Sequence, residues 1–355
     1  MLNRPMSRLA TAVAAAGTVC VLGAATAATA ATAAPSAPRS WSGPKGPVPH
    51  AFSNATPGLS RIFLTGTGTN GTLVAWKGKF DDRIHYELRI GGRWSAARTI
   101  PGAATSAGPA VGFYPDPTGH DAVLAVWKKL GSSRIDYAQG QTHSGGTISW
   151  AAPATLPGSL TATTTAPAVL FPANAAHDRV IVAWKGPFDH VRYSVGTPAG
   201  RGFTWTPSDW LSSALITKTG AAPALADVQT GTARGTLYVF WRGYRSYQVR
   251  YATTPDPLNL SHSHLTWTAT RVVPHAATGA GPAVAALGRH GAGPLLLAYK
   301  APRALQVRYQ TLHTGWSARR TVPGASTAVG PALLGGLLAT TASDTSGSIF
   351  FRYFS

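Results

Sequence analysis

One short phrase occurs six times along this chain, and its sixth copy is divided between the two ends. An apolar residue, a variable residue and a tyrosine recur as Ile84-His85-Tyr86, Ile135-Asp136-Tyr137, Val191-Arg192-Tyr193, Val249-Arg250-Tyr251, Val307-Arg308-Tyr309 and Phe351-Arg352-Tyr353. A second column, Trp76, Trp127, Trp184, Trp241 and Tyr299, precedes the first five and is usually followed by Lys or Arg. A third follows them as Trp94, Trp150, Trp205, Trp267 and Trp316, and its sixth member, Trp41, lies far upstream. Pro57, Pro109, Pro167, Pro223, Pro282 and Pro331 punctuate the units. Self-similarity of this kind marks an array of supersecondary units, and a last unit completed from the other terminus implies that the array closes into a ring.

Each unit reads as four short strands; in the first they fall at 61–65, 73–77, 83–89 and 94–100, with Gly, Asn, Asp and Pro at the joins. Successive tyrosines are 51, 56, 58, 58 and 44 residues apart, near the roughly 40–50 residues of a β-propeller blade. No sustained helical period follows the N-terminal segment. The fold expected is all-β: a six-bladed β-propeller of four-stranded blades, the last taking three strands from 331–354 and its fourth from 40–49. Its second strand, 338–341, has neither Trp nor Lys. A five-and-a-half-blade count or a seventh blade is the alternative.

At the N-terminus, Arg4 and Arg8 precede a long Ala, Val and Leu-rich run that ends in alanines before Pro35. Residues 1–34 are therefore expected to be a secretory signal peptide and 35–355 a single exported propeller domain. Cys20, the only cysteine, sits in the apolar run, so the mature chain has neither disulfide nor thiolate chemistry. No later stretch is long and apolar enough to be a membrane-spanning helix. The net charge is +19, with 31 Lys and Arg against 12 Asp and Glu. A surface so short of acids attracts wall polymers, acidic polysaccharides, anionic lipid headgroups or nucleic acid, although dispersed charge also serves solubility.

Glycoside hydrolysis usually needs two carboxyl groups flanking the scissile bond. Here there is one glutamate, Glu87, and most aspartates stand in evident turns: Asp81, Asp82, Asp116, Asp121, Asp178, Asp189 and Asp256. Asp136 alone lies inside the repeated phrase. The histidines have no metal spacing, since His262 and His264 read as a loop-tip pair. Serine-nucleophile, phosphate-loop and dinucleotide signatures are absent. No catalytic residue, metal or cofactor is assigned.

The repeated polar decoration remains. Second strands end in Trp76-Lys77, Trp127-Lys128, Trp184-Lys185, Trp241-Arg242 and Tyr299-Lys300, and third strands carry Arg192, Arg250 and Arg308 just before the tyrosine. Side chains alternate along a strand, and cations are costly to bury unpaired, so these groups are expected to line inter-blade clefts open to water or a ligand. A flat aromatic beside fixed donors suits a sugar ring, and copies around a ring gain by avidity. The competing reading is structural, with the cations lying along aromatic faces.

The run Leu73-Val-Ala-Trp-Lys-Gly, Arg83-Ile-His-Tyr, Gly92-Arg-Trp-Ser and Ile100-Pro-Gly resembles the Trp-Lys-Gly propeller repeats of secreted actinobacterial proteins. More distantly, it is similar to six-bladed fucose-binding and tectonin-type lectins. That resemblance implies a non-catalytic, carbohydrate-binding, lectin-like protein. The lectins' glutamate ahead of the third-strand aromatic is replaced by Arg or His in most repeats, with Asp136 the one acid. Sialidase-type Asp boxes keep only their tails, at Ser144–Trp150 and Gly202–Trp205. The partners expected are cell-surface or wall glycans, anionic polymers among them, or a secreted partner protein, with no specific nucleic acid. The alternatives are a glycoside hydrolase of sialidase or arabinanase type, built on Glu87 and aspartates, and a docking head for a secreted toxin or hydrolase assembly.

Overall fold

The computed structural model describes residues 40–64, 67–115, 121–158, 161–172, 179–200, 202–211, 217–229, 235–254, 264–288 and 292–355. The leader with Arg4, Arg8 and Cys20, and Asp116, Asp178, Asp256 and His262, lie outside them. The described chain forms a six-bladed β-propeller of antiparallel blades. Blade one runs Gly58–Leu64, Thr69–Lys77, Arg83–Ile90 and a broken fourth strand, Arg93–Trp94 with Arg98–Ala104. Blade five is the simplest: Ala283–Ala286, Leu295–Lys300, Gln306–Leu312 and Arg320–Ser326. First strands of neighbouring blades touch in a complete circle around the axis.

Second strands read as continuous apolar runs because both faces are buried, one against each neighbouring blade. Along Asp121–Lys128 every residue but the last is buried. The core is consequently six clusters, one per blade junction. At each junction the third-column tryptophan of one blade lies against the third-strand aromatic of the blade before it. Trp150 meets Tyr86, Trp205 meets Tyr137, Trp267 meets Tyr193 and Trp316 meets Tyr251, with ring centres 5.3–5.9 Å apart in edge contacts. Such pairs contribute beyond the area they bury.

Trp41 supplies the contact missing from the series, meeting Tyr309 at 5.5 Å and Phe354 at 4.9 Å. Its segment runs antiparallel to the last strand, Ile349–Tyr353, through bonds from Ser42 N to Tyr353 O (2.7 Å), Lys45 N to Phe351 O (2.9 Å) and Val48 N to Ile349 O (2.9 Å). The ring thus closes as expected.

The sixth repeat needs a correction of register. Opposite the second strand Leu337–Thr341, Ala339 pairs with Phe351, as Ala75 pairs with Tyr86 in blade one. The sixth phrase is therefore Ile349-Phe350-Phe351, and Trp94 stacks on Phe351 at 5.4 Å to complete the series. A shift of two residues leaves every side chain on its own face, so alternation could not distinguish it from Phe351-Arg352-Tyr353. Arg352 accordingly belongs one place after the aromatic, where it is buried and donates to the carbonyl of Pro323 in blade five.

A second sixfold feature sits on the connectors into each first strand. Ser53, Thr105, Thr163, Thr219, Thr278 and Thr327 are buried, and each hydroxyl accepts from the backbone N–H two residues on. Their own N–H groups donate to the preceding blade's turn between strands two and three, and Ser53 completes that circle by donating to Gly347 O at 2.9 Å. Near the axis the connectors crowd. A Cβ on Gly108 would stand 2.1 Å from Thr56 O, which explains the small residue before the repeated proline. Thr105→Val removes one turn-closing hydroxyl in a buried site and should cost about 1–3 kcal/mol by denaturant titration. A loss below a few tenths would show that the turn is held by its backbone alone.

Candidate functional site

The strand order puts two sets of loops on one face of the ring: the connectors into each first strand, and the turns between strands two and three. Second strands end on this face, so Lys77, Lys128, Lys185, Arg242 and Lys300 surround the axis there. Inside them lies an apolar mouth of about 160 Å³ lined by Pro57, Pro109, Pro167, Pro223, Pro282 and Pro331.

The aromatic members of the expected site are not on this face. Trp76, Trp127, Trp184, Trp241 and Tyr299 are each at most 1% exposed and belong to the junction cores, so none offers a ring face to a sugar. The reason is their position: they lie one residue before the strand leaves the sheet, still between two blades. Arg192 is also fully buried, with its guanidinium 4.2 Å from the Trp210 ring and bonded to Ser208 Oγ at 3.3 Å. Burial lowers its pKa, and Asp209 pulls the other way. Beside it, burial, Lys218 and Arg192 hold His190 below its ordinary value. These groups are enclosed between the blades.

The cations divide unevenly. Lys77 pairs with Asp82 at 2.9 Å and also reaches Asn54, Lys185 pairs with Asp189 at 2.7 Å, and Lys129 beside Lys128 pairs with Asp136 at 3.3 Å. Lys128 itself donates to Ser106 Oγ at 2.8 Å. Blades one to three thus carry their counter-charges. Arg242 instead donates to the carbonyls of Gly220 (2.6 Å) and Gly279 (3.0 Å), and among the described residues no carboxylate pairs with it. Arg250 bonds Gln248 Oε1 at 3.3 Å. Among the described residues no carboxylate pairs with Lys300, Arg303 or Arg308. Arg308 and Arg319 stand close enough to Tyr299 to oppose the rise of its pKa, which burial nevertheless pushes up to about 12.

Sequence reading missed this asymmetry, although its signal is plain. Between Asp256 and Asp344 the chain has no acidic residue and seven Lys or Arg. Even spacing of the basic repeats concealed uneven spacing of the acids.

Carboxylates are equally sparse at the axis. A cavity of about 290 Å³ runs between the first strands, and the charged residues lining it are Arg61 and Asp227. Gln229 Nε2 hydrogen-bonds Asp227. Glu87 is far from the axis, fully buried at the junction of blades six and one, and burial raises its pKa to about 7. No group of three or more His, Cys, Asp or Glu able to hold a metal occurs among the described residues.

No protein-family model matches the sequence, and no curated protein does. Solved structures match in fold at low identity. The chain is similar to AofleA of Arthrobotrys oligospora, with 12% identity, TM-score 0.54, and 89% of this chain and 83% of that one covered. It is similar to the Aleuria aurantia lectin in complex with Fucα1-6GlcNAc, at 12% identity and TM-score 0.54 over 77% and 81%. An α-L-arabinofuranosidase of Fusarium graminearum matches at 12% identity and TM-score 0.57 over 88% and 98%. Lectins and glycoside hydrolases therefore both share this fold, and function has to be argued from the site.

Proposed function

We propose that this chain is a secreted, non-catalytic, lectin-like propeller that holds anionic surface glycans on the basic sector of blades four and five. The observation that carries the reading is the uneven neutralisation of the cationic face. Among the described residues no carboxylate pairs with Lys300, Arg303, Arg308 or Arg242, whereas Lys77, Lys129 and Lys185 in blades one to three are each paired with one. A site short of internal partners favours a ligand that brings its own negative charge. With the repeated aromatics buried, hydrogen bonds and charge would hold the ligand, and stacking contributes little. The hydrolase reading is less well supported, because the described lining of the axial cavity offers one carboxyl where two are usual.

Binding to heparin and polygalacturonate, measured with neutral dextran as control, tests the proposal. Substituting Lys300, Arg303 and Arg308 together by Ala should weaken binding roughly tenfold or more at 0.1 M salt, and binding should fade as added salt shortens the Debye length. Lys128→Ala with Lys129→Ala, which removes equally accessible cations from blade two, should cost much less. Equal losses from the two sets would refute the sector, and retention of dextran would refute charge as the basis of recognition.

A further inference from the structure

The turns between strands two and three carry something besides charge. Of the nine large hydrophobic side chains exposed in the described structure, six, Phe80, Leu130, Phe188, Tyr244, Tyr247 and Leu305, stand at these turns, on five successive blades and one face; Phe52, Phe63 and Val272 lie elsewhere. Phe80 is 85% exposed and Phe188 75%. Scattered exposed hydrophobics are ordinary, but recurrence at the same structural position is not.

These tips are rigid. Each turn is closed across its base by a backbone bond, from Gly78 N to Arg83 O, Lys129 N to Arg134 O, Gly186 N to His190 O, Gly243 N to Gln248 O and Ala301 N to Gln306 O, all 2.8–2.9 Å. Three contain non-glycine residues in the left-handed region: Phe188 (φ 61°) with Asp189 (φ 67°), Arg245 (φ 52°) and Arg303 (φ 57°). Holding a phenylalanine there while leaving its ring in water costs the fold and gains it no packing.

A cation accompanies the apolar tips. Lys79 lies 5.2 Å from the Phe80 ring, Lys129 precedes Leu130, Lys218 and Arg245 lie 5.7 and 5.2 Å from the Tyr244 ring, and Arg303 is two residues from Leu305. The acids at these tips are already engaged, Asp81 by His85, Asp82 by Lys77 and Asp189 by Lys185. Blade six, whose turn holds Asp344 and Ser346, leaves the one gap.

We propose that these tips form a docking crown that seats this face on a lipid bilayer bearing anionic phospholipid. The tips are separated, one or two per blade, so they cannot make the contiguous apolar core of a protein interface. Leu130 and Leu305 have no flat face to stack on a sugar. Apolar points on one face, several of them beside a cation, match acyl chains lying just beneath phosphates, and the aromatics suit the interfacial layer. The inference goes beyond the glycan reading and does not rest on it.

Co-sedimentation with vesicles of phosphatidylcholine alone and of phosphatidylcholine with about 30% phosphatidylglycerol decides it. The full chain should bind the anionic vesicles and largely ignore the neutral ones. Phe80→Ser, Leu130→Ser and Phe188→Ser combined should weaken that binding roughly tenfold or more, while binding to heparin stays unchanged. Phe188→Gly is the folding control: it relieves a left-handed φ, so thermal stability should hold or rise as vesicle binding falls. The crown is overturned if the wild type ignores anionic vesicles, if the triple variant binds them as well as the wild type, or if the tips prove necessary for heparin instead. A wild-type protein that binds anionic vesicles but not heparin would overturn the glycan reading and leave the crown standing.

Discussion

Removal of residues 40–50 is expected to cost on the order of 5 kcal/mol or more, enough to abolish cooperative unfolding in a protein of ordinary stability. The segment provides blade six with its outer pairing and places Trp41 on Tyr309 and buried Val48 beside the blade-one junction. Without it, the last strand is an open edge and two junctions lose core. Trp41→Ala alone should cost about 3 kcal/mol, close to the effect of Trp316→Ala, since both rings make the same edge contact at neighbouring junctions. Denaturant unfolding of a chain comprising residues 35–355 reads both. An unchanged midpoint after the deletion would mean that the ring does not depend on its N-terminal segment.

The second large effect concerns pH. Glu87 is fully buried, and among the described residues neither carboxyl oxygen has a hydrogen-bond partner. Its cross-strand neighbour Val74 packs with Val48, Ala339 and Phe351 in the junction of blades six and one. Elsewhere the same position holds a donor: Gln310 gives to the carbonyls of Pro274 and Ser317, each at 3.0 Å, and accepts from Tyr299 Oη at 2.9 Å. Blade one has Trp76 where blade five has Tyr299, so no hydroxyl serves Glu87.

Desolvation lifts the Glu87 pKa from its usual 4.5 to about 7. Below pH 4.5 the group is protonated whether the chain is folded or not, and the fold bears no penalty. Between these values the unfolded chain releases the proton while the folded chain keeps it, so stability falls as pH rises, by about 3 kcal/mol in all, and levels off above pH 7. Glu87→Gln should flatten this dependence, gaining several degrees in Tm at pH 8 and little at pH 4.5. If wild type and variant change in parallel from pH 4.5 to 8, Glu87 does not carry the pH dependence.

Architecture was legible in the repeats because blade junctions demand the same large residues at the same place. Trp41, displaced by nearly the length of the chain, was enough to indicate closure. Two things escaped that reading for physical reasons. A slip of two residues preserves facing, so the sixth phrase was placed on Tyr353 when Phe351 fills the position. The Trp-Lys pairs read as one site, but strand ends separate them: the tryptophan remains between blades while the cation emerges beyond. What the cations do then depends on acids distant in sequence, such as Asp82 and Asp189, and in blade five on their absence between Asp256 and Asp344. The hairpin tips carried no periodic signature, because their apolar residue stands at a different offset from the tryptophan in different blades.

The most direct test of the account is an array of acidic and neutral glycans probed with the purified protein, run beside an assay for release of chromophore from aryl glycosides. Salt-sensitive binding confined to acidic glycans, with no turnover, is the predicted result. Turnover that is lost on substituting Asp227, or binding confined to neutral sugars and indifferent to salt, would contradict it.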